Sequence, residues 1–507
     1  MRTLAAVLIL LLAASSARAA DALDEVKKRG ELRWTADASG GVPFVFEDPR
    51  QTGKFIGFET EIAEEIARRL GVKSKFVQCD YQSLLELVNR GGDADIAING
   101  IEQTGEKRRV AELSRPYYVA TMRLAQRDGA PEVKALEQLK GKRIGVLPDT
   151  LADKLAQDAG AEPARYNAGF ESVYKELAQG RTDAVLTDEP TAIYYAPLEP
   201  GIHVLPRSFG ELRYVVACGK GQARLCEAVN EALEQMRTEG KLRAIYEKWH
   251  LWNAETAILL ADRDARTPAP PEGYDYWIRS VSNRPFAERL KDYPARIPAL
   301  LKGAGVTLGI SLASFVLAVL LGITLALTRR YGPKPLQLLA VGYIELFRGT
   351  PLLVQLYFIY FGLPDFGIHL SPITAGILGL ALNYAAAEAE NYRAGLESVP
   401  SGQVEAAWSL GLSTWQAVRF VVAPQAIRIA IPPATNDFIA LLKDSSLVSA
   451  ITINELLKEA QTAATATRDS RGFYALCAII YLLLGLPFSR FARWVEQRMG
   501  QHLRRGA

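Results

Sequence analysis

The sequence predicts two unlike parts in one chain: an α/β bilobed body, exported, followed by an all-α transmembrane domain of about five helices. Three observations carry this. Charges of both signs are dense up to about Asp292, whereas from Gly303 onward long uncharged runs alternate with short basic clusters. From residue 32 to about residue 252, short apolar strands alternate with amphipathic helices, as in open α/β sheets. Within that stretch a helix-turn-strand unit occurs twice. Gly92-x-x-Asp95 leads into Ile96-Ala97-Ile98, and Gly180-x-x-Asp183 leads into Ala184-Val185-Leu186, which implies two similar lobes. A chain of 507 residues is also too long for a single core.

Taken in order, the first element is a leader at residues 1–19. Arg2 precedes an apolar run from Leu4 to Ala14 that ends in Ala17-Arg18-Ala19, the pattern of a secretory signal peptide cleaved near Ala19. The run is too short to span a bilayer, so residues 21–255 are expected outside the cell or in the periplasm as a substrate-binding body. Cys218 and Cys226 are close enough in sequence to bridge in an oxidising compartment, with buried thiols as the plainer reading. One helix is unusually clear. Gly57-Phe58-Glu59-Thr60-Glu61 leads into Ile62, Ile66 and Leu70 at helical spacing, with Glu64, Glu65, Arg68 and Arg69 on the other face, which reads as a surface helix.

In open sheets, ligands bind beyond the carboxyl ends of strands. That rule nominates Asp37 after residues 32–35, Asn99, Gly100 and Glu102 after the first repeat, Leu147 and Thr150 after residues 144–146, and Asp188 after the second repeat. The four strand ends would converge on one cleft. These segments resemble the periplasmic binding proteins for polar amino acids, of the type II fold and family 3. The matches are Gly57-Phe58-Glu59-Thr60-Glu61-Ile62, the cleft loop Thr104-Gly105-Glu106-Lys107, the turn Pro116-Tyr117-Tyr118 and the tail Ile245-Tyr246-Glu247-Lys248-Trp249. The resemblance implies that a loop cation and backbone amides grip a substrate carboxylate while an acid on the second lobe grips its ammonium. It adds Phe44, Thr104, Lys107 and Arg108 to the site. Such pairing suits a zwitterion, since buried charge is tolerated only when paired. Lys107 stands where the family usually has an Arg, with Arg108 next to it, and Ser39-Gly40-Gly41 replaces the usual stacking aromatic. Asp149 stands where Gly is usual and Glu102 where a small hydroxyl is frequent. The excess of acids (Asp37, Glu102, Asp149, Asp188) points to a substrate with a cationic side chain.

A connector follows at residues 256–297. Thr267-Pro-Ala-Pro-Pro271 reads as a semi-rigid spacer, and Tyr274, Tyr276 and Trp277 with the arginines from Arg284 to Arg296 read as a segment at the membrane interface. Residues 298–507 then form the membrane domain. Uncharged runs at 303–328, 349–364, 366–387 and 472–489 supply four spans, and a weaker one is expected around 430–452, broken by Pro432, Pro433 and Lys443. Arg329 and Arg330 after the first span, and Arg490, Arg493, Arg498, Arg504 and Arg505 after the last, place both ends in the cytoplasm.

The same rule places the loop after Pro400 in the cytoplasm. It is long enough for two helices, with Gly411 as a C-cap and Ser413 to Gln416 as a capping box. Glu405-Ala406-Ala407 followed by Gly411 and Pro424 resembles the coupling loop of ABC importer permeases, the EAA loop. Glu345-Leu-Phe-Arg348-Gly-Thr-Pro351-Leu-Leu-Val-Gln355 and Leu442-Lys443-Asp444-Ser445-Ser446-Leu447 resemble stretches of the polar amino acid branch. The resemblance implies that Glu405, Ala406, Ala407 and Gly411 meet an ATPase subunit. Acids within a span point by default to a substrate path, which nominates Glu388 and Glu390 with Asn383 nearby. For Glu390, local pairing with Arg393 three residues on is an equal reading.

The reading from sequence is therefore an amino-acid ABC importer subunit, with receptor and permease fused, in the cell inner (plasma) membrane. No Gly-x-x-x-x-Gly-Lys-Ser/Thr motif occurs, so ATP hydrolysis is expected in a separate chain, and this chain is expected to be neither an enzyme nor a carrier of cofactor or metal. Five spans make half a pathway, so a permease dimer is expected, with a second copy of the chain as the first choice. No basic cluster with interleaved aromatics marks a nucleic-acid surface. The alternative is a ligand-gated receptor channel with a binding-protein-like sensor, against which the coupling loop speaks. An enzyme on the same bilobed fold lacks an obvious acid-base agent, since His203 and His250 lie away from the cleft segments.

Overall fold

The computed structural model describes residues 22–39, 41–148, 150–166, 170–264, 266–281 and 285–500, so the expected leader and Asp149 fall outside it. The chain divides into two compact units, the first holding most residues up to Arg279 and the second those from Ser280 onward.

The first unit contains two five-stranded sheets. One runs in the order Lys73–Gln78, Glu31–Ala36, Ile96–Ala97, Ala217–Cys218, Glu112–Leu113, and the other Ile202–Tyr214, Tyr118–Arg127, Ala184–Asp188, Arg143–Val146, Glu162–Arg165. The repeated unit does the same work in both. Glu31–Ala36 and Ile96–Ala97 are parallel with Trp34 opposite Ile96, and Arg143–Val146 and Ala184–Asp188 are parallel with Ile144 opposite Ala184. Asp95 accepts from the Arg33 backbone N–H at 2.7 Å and Asp183 from that of Arg143 at 2.8 Å. Each aspartate returns its own N–H to the carbonyl of the same arginine. The Asp of the motif thus fixes register where each sheet begins, which sets the opposite, carboxyl-end loops side by side.

The helix Phe58–Arg69 is seated by Phe58, Ile62 and Ile66, all fully buried. Its description as a surface helix needs correcting at two residues. Glu59 is wholly buried, and Glu65 is buried beneath ion pairs to Arg68 and Arg69. Gly57 begins it at φ +136°, and a Cβ there would fall 2.0 Å from the Phe44 carbonyl oxygen, so only glycine fits. Glu61 Oε1 accepts from Trp249 Nε1 at 2.9 Å and Lys248 Nζ at 2.7 Å, which ties the Gly57 segment to the chain's Tyr246-to-Trp249 segment. Cys79, Cys218, Cys226 and Cys477 are buried thiols.

Tyr274 and Trp277, expected at a membrane interface, are instead part of the first unit. They lie on the helix Glu272–Val281, and Trp277 is fully buried against Tyr194 and Tyr195. Aromatic residues suit either setting, and the partners that decide it lie some eighty residues earlier in the chain.

The second unit is helical. Tyr293–Tyr331 and Ser470–Gly500 contain stretches long and apolar enough, by length and composition, to cross a bilayer. The other expected spans are helical with altered bounds. The run at 349–364 is helical over Leu352–Gly362, separated by Thr350 and Pro351 from a preceding helix Lys334–Gly349. The run at 366–387 becomes Pro372–Glu397. The weak span is a continuous helix, Ala423–Asp444, that contains Pro432 and Pro433, followed by a 3-10 turn at Ser445–Ile451. Proline removes one donor and is tolerated where neighbouring helices compensate, so the pair does not end the helix.

Candidate functional site

The nominated strand ends meet. From the first lobe, Glu102 is buried and its Oε1 accepts from the Leu151 N–H, 3.0 Å away, at the start of the second-lobe helix Leu151–Asp158. Thr150 caps that helix and gives its hydroxyl to the Leu147 carbonyl at 2.9 Å. From the second lobe, Asp188 caps Glu189–Tyr195, accepting from the Thr191 N–H at 2.9 Å on Oδ1 and from the Tyr214 hydroxyl at 2.7 Å on Oδ2. Tyr214 also bridges Glu102 through its backbone. Sequence reasoning did not find Tyr214, which ends one of the long strands joining the lobes.

Asp37 lies half-buried; its N–H donates to Asn99 Oδ1 at 2.7 Å, and its carboxylate accepts from the Ser39 N–H and hydroxyl. Phe44 packs edge-on to Tyr214 and against Gly100, filling the floor of the site. Thr104 caps the short helix Gly105–Val110, accepting from the Lys107 N–H at 3.2 Å. The two cations separate clearly. Lys107 is half-buried with its ammonium nitrogen out of solvent, whereas Arg108 is exposed on the helix surface. Lys107 is thus the one of the two whose charge bears on Glu102, and Arg108 lies on the exposed face of the helix.

The Gly100 N–H donates to Glu59 Oε1 at 2.6 Å, and the same oxygen accepts from the Tyr117 hydroxyl. Burial pushes the Glu59 carboxyl up to about 8, with nearby Asp188 adding to the rise against these hydrogen bonds. Burial raises Glu102 too, opposed by the Lys107 charge, and it raises Asp188 against the donors it accepts from. Three buried acids from two lobes thus act on one another, with the half-buried Lys107 ammonium acting on Glu102. A carboxyl group without charge compensation at such a place takes up a proton, and an added cation relieves that demand.

Glu59 gives a pH prediction. Its folded value lies above its ordinary 4.5, so its stabilising contribution is complete below about 4.5 and is lost as pH rises through about 8. Glu59→Gln keeps an acceptor for Gly100 and Tyr117 without the titration. In thermal unfolding of the first unit, wild type should lose up to about 1.4 kcal/mol per pH unit relative to the variant across that window. Parallel profiles for the two proteins would contradict the assignment.

In the second unit, Glu388 is fully buried on Pro372–Glu397, and neither of its carboxylate oxygens has a hydrogen-bond partner among the described residues. A Cβ added to Gly322 of the facing helix would fall 2.6 Å from the Glu388 Cβ, so glycine admits the acid between the two helices. Glu390 and Asn383 have other work. Glu390 is ion-paired to Arg329 and to Arg393, the latter at 2.8 Å, which favours the pairing reading over the path. Asn383 donates to Gln355 Oε1 at 3.0 Å and to the Phe347 carbonyl at 3.3 Å, while Gln355 holds Thr350 by its carbonyl and hydroxyl. These two amides clasp the break before Pro351, where freed backbone groups need partners.

The loop after Pro400 folds as its residues dictate. Ser401–Ser409 is a helix closed by Gly411 at φ +83°, with Gly411 N–H bonded to the Trp408 carbonyl and Leu412 N–H to that of Ala407. Ser413 and Gln416 form the expected capping box. The second helix is shorter than foreseen. It is a single turn, Thr414–Ala417, running through a π-turn into Ala423–Asp444, with Pro424 in the first turn of that helix. Glu405 and Ala406 are exposed and Ala407 is buried. Around them Trp408, Leu410, Trp415 and Phe420 are all at least half exposed, an apolar surface of the kind that marks an interaction site.

Two family models match this chain. Residues 35–251 match the bacterial extracellular solute-binding proteins, family 3, and residues 318–501 match the binding-protein-dependent transport system inner membrane component. Among curated relatives, the probable amino-acid ABC transporter permease protein YckA of Bacillus subtilis is 44% identical over 206 residues, 41% of this chain and 91% of that protein. The glutamine transport system permease protein GlnP of Escherichia coli is 34% identical over 209 residues, 41% of this chain and 95% of that protein. Among solved structures, a P235GK mutant of ArgBP from T. maritima is similar at 31% identity and a TM-score of 0.42, over 45% of this chain and 99% of that one. The chain belongs to the inner membrane components of binding-protein-dependent transport systems, with a family 3 solute-binding domain ahead of its permease in the same polypeptide.

Proposed function

We propose that this chain is the receptor and permease of an amino-acid ABC importer, and that its substrate is an amino acid with a cationic side chain. One observation carries the reading: a two-lobed binding domain with an acid-lined cleft precedes a permease carrying an exposed Glu405 loop in one polypeptide. Permease relatives named for amino acids, cystine and glutamine among them, support an amino-acid substrate. They support an importer and not a ligand-gated channel.

In this reading the binding domain lies in the periplasm or outside the cell. Asp188 holds the substrate ammonium, Lys107 its carboxylate, and Glu102 with Asp37 the cationic side chain. Closure of the lobes over ligand presents it to a permease pathway that passes Glu388, formed by two copies of the permease domain. A separate ATPase chain docks on Glu405, Ala406 and the apolar surface around Trp408 and Trp415, and its motion alternates access.

Calorimetric titration of the full chain in lipid nanodiscs with the twenty amino acids tests the substrate class. Arginine or lysine is expected to bind with micromolar or tighter affinity and glutamate not at all. Preference for an acidic amino acid, or binding of none below millimolar, would overturn it.

A further inference from the structure

The helix Glu272–Val281 continues from the connector toward the membrane domain, and it has a built seat on the first unit. Trp277 lies with its ring 5.3 Å from Tyr194 and 6.1 Å from Tyr195, and Tyr274 meets Tyr194 edge-on at 5.0 Å. Gly273 rests on the Trp249 indole so closely that a Cβ would fall 2.9 Å from it. The seat draws on both lobes. Tyr194 and Tyr195 end the second-lobe helix Glu189–Tyr195. Trp249 holds Glu61 of a first-lobe helix through its indole N–H and accepts the Tyr194 hydroxyl on its carbonyl at 2.7 Å.

The Tyr195 hydroxyl matters most. It accepts from the Val42 backbone N–H at 3.1 Å, and Val42 lies in the first-lobe segment that follows Glu31–Ala36. The ring that supports Trp277 is therefore the ring that spans the lobes. Trp277 is fully buried, yet its indole N–H has no acceptor among the described residues. Ring contact therefore holds the Trp277 side chain in its seat, and that grip depends on where Tyr194 and Tyr195 stand.

We infer that this aromatic seat is an interaction surface for the chain's own connector helix and that occupancy of the seat reports the angle between the lobes. With Tyr195 bonded to Val42, Trp277 is clamped. When the lobes part, that bond breaks, the ring is freed and the helix loosens. The connector thereby carries the state of the binding domain toward the membrane domain through a packed contact, in addition to any direct docking.

Hydrogen exchange on the full chain in nanodiscs, without ligand, tests this independently of what the cleft binds. Tyr195→Phe removes only the hydroxyl and leaves the ring under Trp277. It is expected to speed exchange at Val42 and also across residues 272–281, each by about tenfold. Reciprocally, Trp277→Ala should speed exchange at Val42. Tyr194→Phe, which loses a bond to Trp249 and none to Val42, should leave Val42 unchanged. Faster exchange at Val42 alone in Tyr195→Phe, with residues 272–281 as protected as in wild type, would show a passive strut and overturn the inference.

Discussion

Changing Asp188 to Ala is expected to weaken amino-acid binding at least about 100-fold, because a buried partner charge is left uncompensated when its counter-charge is removed. Asp188 has a second task that complicates the variant. Its Oδ1 caps Glu189–Tyr195, and loss of such a cap costs about 0.5–2 kcal/mol. Asp188→Asn separates the two tasks, since the amide oxygen still accepts from the Thr191 N–H while the charge is gone. Titration should show nearly the same loss of affinity in both variants, with thermal stability restored in Asp188→Asn. If Asp188→Asn binds as wild type does, the Asp188 charge is not the ammonium partner.

Changing Glu405 to Ala is expected to do the reverse. The side chain is exposed and alanine is the best helix former, so neither the helix Ser401–Ser409 nor the cleft of the first unit should change. Binding affinity should stay within about twofold, while ATP-driven uptake falls at least about tenfold, which corresponds to one lost charge-assisted contact at an interface. Paired binding and uptake measurements on the same preparation check this. Equal loss of both would mean that Glu405 supports the fold and not the contact with the ATPase.

Much of this was legible because local chemistry decided it. The Gly411 stop and the Ser413 box depend only on residues within one turn, and both form as read. Asp95 and Asp183 were found by their repeated setting, and each proves to hold a strand in register. Where the deciding partner is distant, the residues spoke less clearly. Tyr274 and Trp277 have a composition equally suited to a bilayer surface, and only Tyr194, Tyr195 and Trp249 settle their place. Arg108 and Lys107 are neighbours in sequence, and the turn of a six-residue helix decides which is half-buried and which exposed.

Glu59 was missed although a signal existed. It lies three residues before Ile62 and seven before Ile66, on the apolar stripe and not on the charged face. An acid on that stripe is either an error of register or a buried group with donors waiting. Tyr117 and the Gly100 N–H are those donors. Asn383 shows the opposite case, a polar residue in a helix expected to span the membrane whose work is to hold the backbone break before Pro351.

The central claim is that one polypeptide both captures the amino acid and passes it inward. Proteoliposomes containing the full chain and its ATPase, with labelled arginine outside and no separate binding protein, test it directly. The account predicts ATP-dependent accumulation of arginine that Asp188→Asn and Glu405→Ala each abolish. Arginine entry without ATP, or uptake that requires an added binding protein, would contradict it.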